Sequence, residues 1–144
     1  MDPHSARILI ADDSEDVRRA LRNVLEARLK LTICGKASNG AEAVTKTIEL
    51  KPDLVILDFQ MPDMDGFEAS RRILASAPGT PILMFSMFYS TQLLQEAHKI
   101  GIRGYIQKGA NFQTLTEAVE ALLKGESFFL AKSELGTGLA CLKF

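Results

Sequence analysis

The sequence predicts an α/β fold in which a five-stranded parallel sheet is wound with helices on both faces. Three observations carry that reading. Short apolar runs rich in β-branched residues recur five times, and each is followed by a stretch whose apolar residues return at helical spacing. Such alternation specifies parallel strands joined by right-handed helical crossovers. Finally, Leu54–Leu57 is apolar without interruption, the pattern of a strand covered on both faces.

Taken in order, Arg7–Ala11 is the first strand, built on Ile8, Leu9 and Ile10, and it stops abruptly at Asp12-Asp13-Ser14-Glu15-Asp16. Ser14 has the chemistry of an N-cap, and Glu15 and Asp16 suit the positive end of a helix. Val17, Ala20, Leu21, Val24, Leu25 and Leu29 then recur on one helical face, with Arg18, Arg19, Arg22 and Arg28 on the other. Leu31–Ala37 is the second strand, Asn39-Gly40 a turn, and Ala41–Leu50 a helix with Val44 and Ile48 on its buried side. Lys51-Pro52-Asp53 ends that helix and leads into Leu54–Leu57. Asp58 closes this third strand, and Pro62-Asp63-Met64-Asp65-Gly66 forces a turn. Phe67, Ser70, Ile73, Leu74 and Ala77 mark the third helix, which Pro78-Gly79-Thr80-Pro81 breaks before the fourth strand, Ile82–Ser86. Ser90–Ile100 is a helix with Leu93, Leu94 and Ala97 inward, closed by Gly101. Arg103–Gln107 is the fifth strand. Asn111 caps a last helix that turns Phe112, Leu115, Ala118, Val119, Leu122 and Leu123 to the core and stops at Gly125.

With 144 residues, 47% hydrophobic and 24% charged, the chain suits one globular domain. A formal net charge of -1 offers no electrostatic footprint for nucleic acid. No apolar span is long enough for a membrane, and Met1–Arg7 lacks a hydrophobic signal region. Cys34 and Cys141 match no metal-ligand spacing and read as reduced apolar residues of a cytoplasmic protein.

In a parallel sheet every strand's carboxyl end lies on one rim, where ligands bind. That rim collects Asp12 and Asp13 from the first strand, Asp58 from the third, Ser86 from the fourth and Lys108 from the fifth. Each alone has an ordinary structural role: helix-dipole pair, helix cap, strand-end hydroxyl, solvated cation. Together they point to chemistry. Crowded carboxylates repel unless a cation intervenes, and a hard ion such as Mg²⁺ takes a few carboxylates, a carbonyl and several waters. Lys108 and Ser86 suit phosphoryl oxygens. With charge so offset, a carboxylate can act as a nucleophile towards phosphorus and form an aspartyl phosphate.

Over about Arg7 to Gly125 the chain resembles the receiver domain of two-component response regulators. The matching residues are Asp12-Asp13, Asp58 followed by Met61-Pro62-Asp63-Met64-Asp65-Gly66, Ser86, and Lys108-Gly109-Ala110. The resemblance implies the doubly wound, flavodoxin-like strand order 2-1-3-4-5. It also implies that Asp58 accepts a phosphoryl group from a sensor histidine kinase, so that the domain promotes its own phosphorylation and dephosphorylation without being an enzyme. Asp13, Asp58 and the Gln60 backbone carbonyl would bind Mg²⁺ directly, Asp12 through water. Ser86 and Tyr105 would form the switch, Ser86 moving towards the phosphate and Tyr105 turning inward. Ser86 stands where threonine is commoner in the family, and Gln60 and Phe88 flank the site at positions that vary.

Gly104–Ala110 and the helix ending at Lys124-Gly125 are similar to the NarL/LuxR-type subfamily, whose members carry a DNA-binding domain controlling transcription. Glu126–Phe144 is too short for that domain, so residues 1–125 read as the receiver and 126–144 as a linker or tail. A receiver cut from a longer protein and a stand-alone receiver both remain open, and neither contacts nucleic acid itself. A phosphorylation-dependent homodimer is a further expectation. Phe128-Phe129-Leu130 is apolar enough to pack, and Gly136-Thr137-Gly138 disfavours a final helix. Two rivals fit less well. A haloacid-dehalogenase-type phosphatase needs an acid where Gln60 stands, and a flavodoxin-like cofactor binder needs a Ser/Thr/Gly-rich loop where Asp12-Asp13-Ser14-Glu15 stands. A degenerate receiver working without phosphate conflicts with the full acidic and lysine set.

Overall fold

Ser14, Asn39, Asp65, Ser90 and Asn111 each accept a hydrogen bond from the backbone N–H three residues on, and each opens a helix. Loss of such a cap costs about 1 kcal/mol. The computed structural model describes residues 5–132 and 139–142, with residues 131, 132 and 139–142 described by backbone alone. Its elements are β1 (Arg7–Ala11), α1 (Glu15–Leu29), β2 (Thr32–Ala37), α2 (Gly40–Leu50), β3 (Leu54–Leu57) and α3 (Gly66–Ser76). They continue with β4 (Ile82–Ser86), α4 (Thr91–Ile100), β5 (Gly104–Gln107), α5 (Phe112–Leu123), β6 (Phe128–Lys132) and β7 (Leu139–Leu142).

The first five strands are parallel and stand in the order β2-β1-β3-β4-β5. Alternate residues of each strand feed opposite faces. Ile8, Ile10, Leu54, Ile56, Leu83 and Ile106 pack with Leu21 and Leu25 of α1 and with Leu115, Val119 and Leu122 of α5. Leu9, Val55, Leu57, Met84 and Tyr105 point the other way, to Ala43 of α2, Phe67 and Ile73 of α3, and Leu94 and Ala97 of α4. The sheet is thus covered by two helices on one face and three on the other.

Three expected core residues are exposed. In α2 the sheet-facing pair is Ala43 and Thr47, which leaves Ile48, one step further round the helix, 47% exposed. Phe112 is 51% exposed because α5 begins beyond the strand ends; its ring lies 5.8 Å from the Arg28 guanidinium carbon. Ala20 of α1 is exposed as well.

Where the sequence suggested a linker or tail, the described backbone adds to the sheet. β6 lies parallel beside β5, with Gly104 opposite Phe128 and Tyr105 opposite Phe129, and β7 pairs antiparallel with β6. Phe129 is fully buried. Gly136-Thr137-Gly138, the first four residues of Met1–Arg7 and the Cys141 side chain lie outside the described residues.

Candidate functional site

Strand ends and short backbone bonds bring the rim residues together. The Asp12 N–H donates to Ala37 O and the Asp58 N–H to Ala11 O, both at 2.9 Å, so β2, β1 and β3 end in step. Lys108 N–H donates to Ser86 O at 2.7 Å, which locks the ends of β5 and β4 in the same way. The loop after β3 folds back tightly: Gly66 N–H donates to Phe59 O at 2.6 Å. A Cβ on Gly66 would stand 2.6 Å from the Asp58 carbonyl, so only glycine fits there. Asp63, read from sequence as a turn residue, caps α2 from across the loop by accepting from Gly40 N–H at 2.7 Å and Ala41 N–H at 2.8 Å. Those two bonds hold its carboxyl below the usual carboxylate range.

Within this frame one carboxylate oxygen from each of Asp12, Asp13 and Asp58 lies within 4.8 Å of the others. Asp12 and Asp58 are buried; Asp13 is exposed. The Lys108 ammonium enters from β5 and stands 2.7 Å from Asp12 Oδ2 and 3.2 Å from Asp58 Oδ2. Asp58 Oδ1 accepts from Gln60 N–H at 3.3 Å, and Asp12 Oδ1 from Ser14 N–H at 2.9 Å. Burial, with the charge of Asp12 behind it, pushes the Asp58 carboxyl above its ordinary value in spite of Lys108 and Gln60. Burial alone would lower Lys108, but Asp12 and then Asp58 outweigh it and hold the ammonium above its usual range.

Ser86 is fully buried at the end of β4, and its hydroxyl accepts from Phe88 N–H at 3.0 Å. Tyr105 is also fully buried, with its hydroxyl donating to the Phe88 carbonyl. Burial pushes its phenol up; a hydrogen bond with Ser86 works against this, and the charge of Asp58 adds to it. Phe88 meets Phe59 edge-on at 5.9 Å, so the β4–α4 and β3–α3 loops touch beside the carboxylates.

Asp12, Asp13, Asp58, Ser86 and Lys108 therefore stand at the rim, Gln60 follows Asp58 in the next loop, and Tyr105 lies in the core with its hydroxyl at the Phe88 carbonyl. Arg18 was assigned to the outer face of α1, yet its guanidinium donates to the Asp12 carbonyl at 2.6 Å. Arg18 stands one helical turn past the cap, within reach of the strand end, but its partner is a backbone carbonyl, which side-chain patterns do not reveal. Phe129, beside Tyr105, was legible only as an apolar residue.

The family described as the response regulator receiver domain matches residues 8–120. LnrK, a transcriptional regulatory protein of Bacillus subtilis, is 36% identical over 119 residues, covering 83% of this chain and 54% of that protein. A LuxR-family two-component response regulator from Aurantimonas superposes with a TM-score of 0.82 at 32% identity, over 85% of this chain and 88% of its own. A chain of the CheX–CheY complex of Borrelia burgdorferi with BeF3⁻ and Mg²⁺ is 26% identical, with a TM-score of 0.79 over 81% of this chain and 88% of its own. The chain spans little more than half the length of the curated relatives it matches. No helix among the described residues is long and apolar enough to cross a membrane.

Proposed function

The chain belongs to the response regulator receiver domain family, and from that premise we propose that Asp58 accepts a phosphoryl group from the phosphohistidine of a sensor histidine kinase in a Mg²⁺-dependent, cytoplasmic signalling step. The observation that carries the proposal is the pairing of a buried, charge-stressed Asp58 with Asp12, Asp13 and a shared Lys108. The donor set fits Mg²⁺, since it offers hard oxygens, an excess of negative charge and one exposed carboxylate on the solvent side. Asp12, Asp13, Asp58 and the Gln60 backbone carbonyl are the residues proposed to hold the ion. When bound, it supplies positive charge that offsets the anionic phosphoryl group.

The remaining steps belong to the chain's own atoms. A carboxylate oxygen of Asp58 forms a bond to phosphorus while the bond from phosphorus to the donor nitrogen breaks. The imidazole keeps that electron pair and takes up a proton, and Asp58 becomes an acyl phosphate. Lys108, already 3.2 Å from Asp58, turns its ammonium to a phosphoryl oxygen. Ser86 gives up the Phe88 N–H and offers its hydroxyl to another oxygen, and Tyr105, already buried, is held inward through the Phe88 carbonyl.

Residues 1–125 are taken as the receiver unit, with 126–144 as its extension. The curated relatives are transcriptional regulators, so control of a transcriptional output is proposed for the whole protein. A homodimer favoured by phosphorylation would find its surface in the apolar groove of about 280 Å³ lined by Val17, Ala20, Phe85, Met87 and Phe112. The test is to incubate the full chain with Mg²⁺ and acetyl phosphate and weigh it. A gain of one phosphoryl group is expected, abolished by Asp58→Asn and by EDTA. A gain that survives Asp58→Asn removes Asp58 from the acceptor role.

A further inference from the structure

We propose that β6 is a built-in occupant of the β5 edge and that Phe129 props Tyr105 in its buried position, so that docking of β6 and the chemistry at Asp58 are coupled. This rests on the reading of Asp58 as phosphoacceptor and of Tyr105 as the switch aromatic.

Without β6, β5 would end the sheet with unpaired N–H and C=O groups, the kind of edge that recruits another chain. β6 fills it closely. Phe128 N–H donates to Arg103 O at 3.0 Å, and the Arg103 guanidinium reaches Gly125 O at 3.4 Å, fixing the turn out of α5. A Cβ on Gly104 would stand 3.1 Å from Phe128 O and 2.9 Å from both Leu83 and Leu122, so the approach needs glycine. A partner that binds by adding a strand at β5 meets β6 there instead.

The register makes this covering strand more than a lid. Phe129 is the cross-strand neighbour of Tyr105, and neighbours on parallel strands point to the same face. Both side chains are fully buried in one cluster, and Phe129 also meets the His98 ring of α4 edge-on at 5.9 Å. The other end of Tyr105 is tied to the rim, with its hydroxyl on the Phe88 carbonyl and the Phe88 N–H on Ser86. Contacts therefore run without a gap from Asp58 and Lys108 through Ser86, Phe88 and Tyr105 to Phe129. A docked β6 favours the inward Tyr105. Coupling of this kind is reciprocal: occupancy of Asp58 tightens β6, and loss of Phe129 weakens the occupied state.

The test uses the full chain labelled with 3-fluorotyrosine, whose two resonances are assigned with Tyr89→Phe. In the wild type the Tyr105 resonance is expected to be shielded from a soluble paramagnetic agent. In Phe129→Ala it becomes exposed, beryllofluoride with Mg²⁺ buries it again, and beryllofluoride binds more weakly by about 5-fold or more. Phe129→Leu falls between the two, and it carries the test if Phe129→Ala does not fold. A folded Phe129→Ala whose Tyr105 stays as shielded as in the wild type overturns the prop. Exposure that beryllofluoride leaves unchanged, in a chain that phosphorylates at Asp58, overturns the coupling. Failure of the wild type to gain a phosphoryl group at Asp58 is read separately by mass and overturns the functional reading, whatever Tyr105 does.

Discussion

At the carboxyl ends of β1 and β3, three carboxylates crowd together and two of them, Asp12 and Asp58, share the Lys108 ammonium, while on the outer side of β5 Phe129 and Tyr105 share an apolar core. The first region is stressed: Asp58 is buried next to Asp12 and its carboxyl is pushed up. The second is relaxed, with paired backbone and two large side chains out of water. Like charge crowds at the rim, while the adjoining edge is apolar and its backbone is paired. The two regions meet in Tyr105, which belongs to the relaxed core and touches the stressed rim.

The largest expected effect is on the relaxed side. Phe129→Ala should destabilise the chain by about 3–5 kcal/mol, since it empties a fully buried site and loosens β6. A loss below about 1 kcal/mol in urea unfolding would move the stability away from this edge.

Next comes Lys108→Met, measured without metal. It leaves Asp12 and Asp58 facing each other, at a cost of about 2–3 kcal/mol, under the full buried-pair value because the lysine reaches solvent. The lysine's folded pKa stands above its usual value, so its contribution is complete at neutral pH and is lost only in strong alkali. A neutral substitution would mean that the rim is wetter and less stressed than its geometry indicates.

The smallest effect has the opposite sign. A carboxyl raised in the folded state contributes stability that is complete below its unfolded pKa and is lost as pH rises through the folded one. At neutral pH the ionised Asp58 is a net burden, so Asp58→Asn should stabilise the metal-free chain by about 1 kcal/mol, or roughly 4 °C in Tm. The gain should vanish as the pH falls and Asp58 takes up its proton. A lower Tm for Asp58→Asn at neutral pH would put the stress elsewhere.

The same contrast explains how much could be read from the sequence. Strands β1, β3 and β4 announce themselves by unbroken apolar runs, and the helix starts by their capping oxygens. The rim was legible because a parallel sheet puts the ends of its strands on one side, so Asp12, Asp13, Asp58, Ser86 and Lys108 need only their positions in the chain to be gathered. β6 was not legible as a strand. Phe128-Phe129-Leu130 is too short to show a period, and its partner β5 is chosen by the turn at Gly125 and the space beside Gly104. Ile48 and Phe112 misled because helical periodicity gives an apolar stripe but not how far the sheet extends beneath it. Arg18 escaped because a backbone carbonyl leaves no trace in a pattern of side chains.

The claim on which the rest depends is that Asp58, and not another acid of the rim, carries the phosphoryl group. Borohydride reduces an acyl phosphate on aspartate to homoserine, which peptide mapping locates. After incubation with Mg²⁺ and acetyl phosphate, homoserine is expected at position 58 alone, and at no position when EDTA is present. Homoserine at Asp12 or Asp13, or a phosphorylated chain with none at 58, would contradict the account.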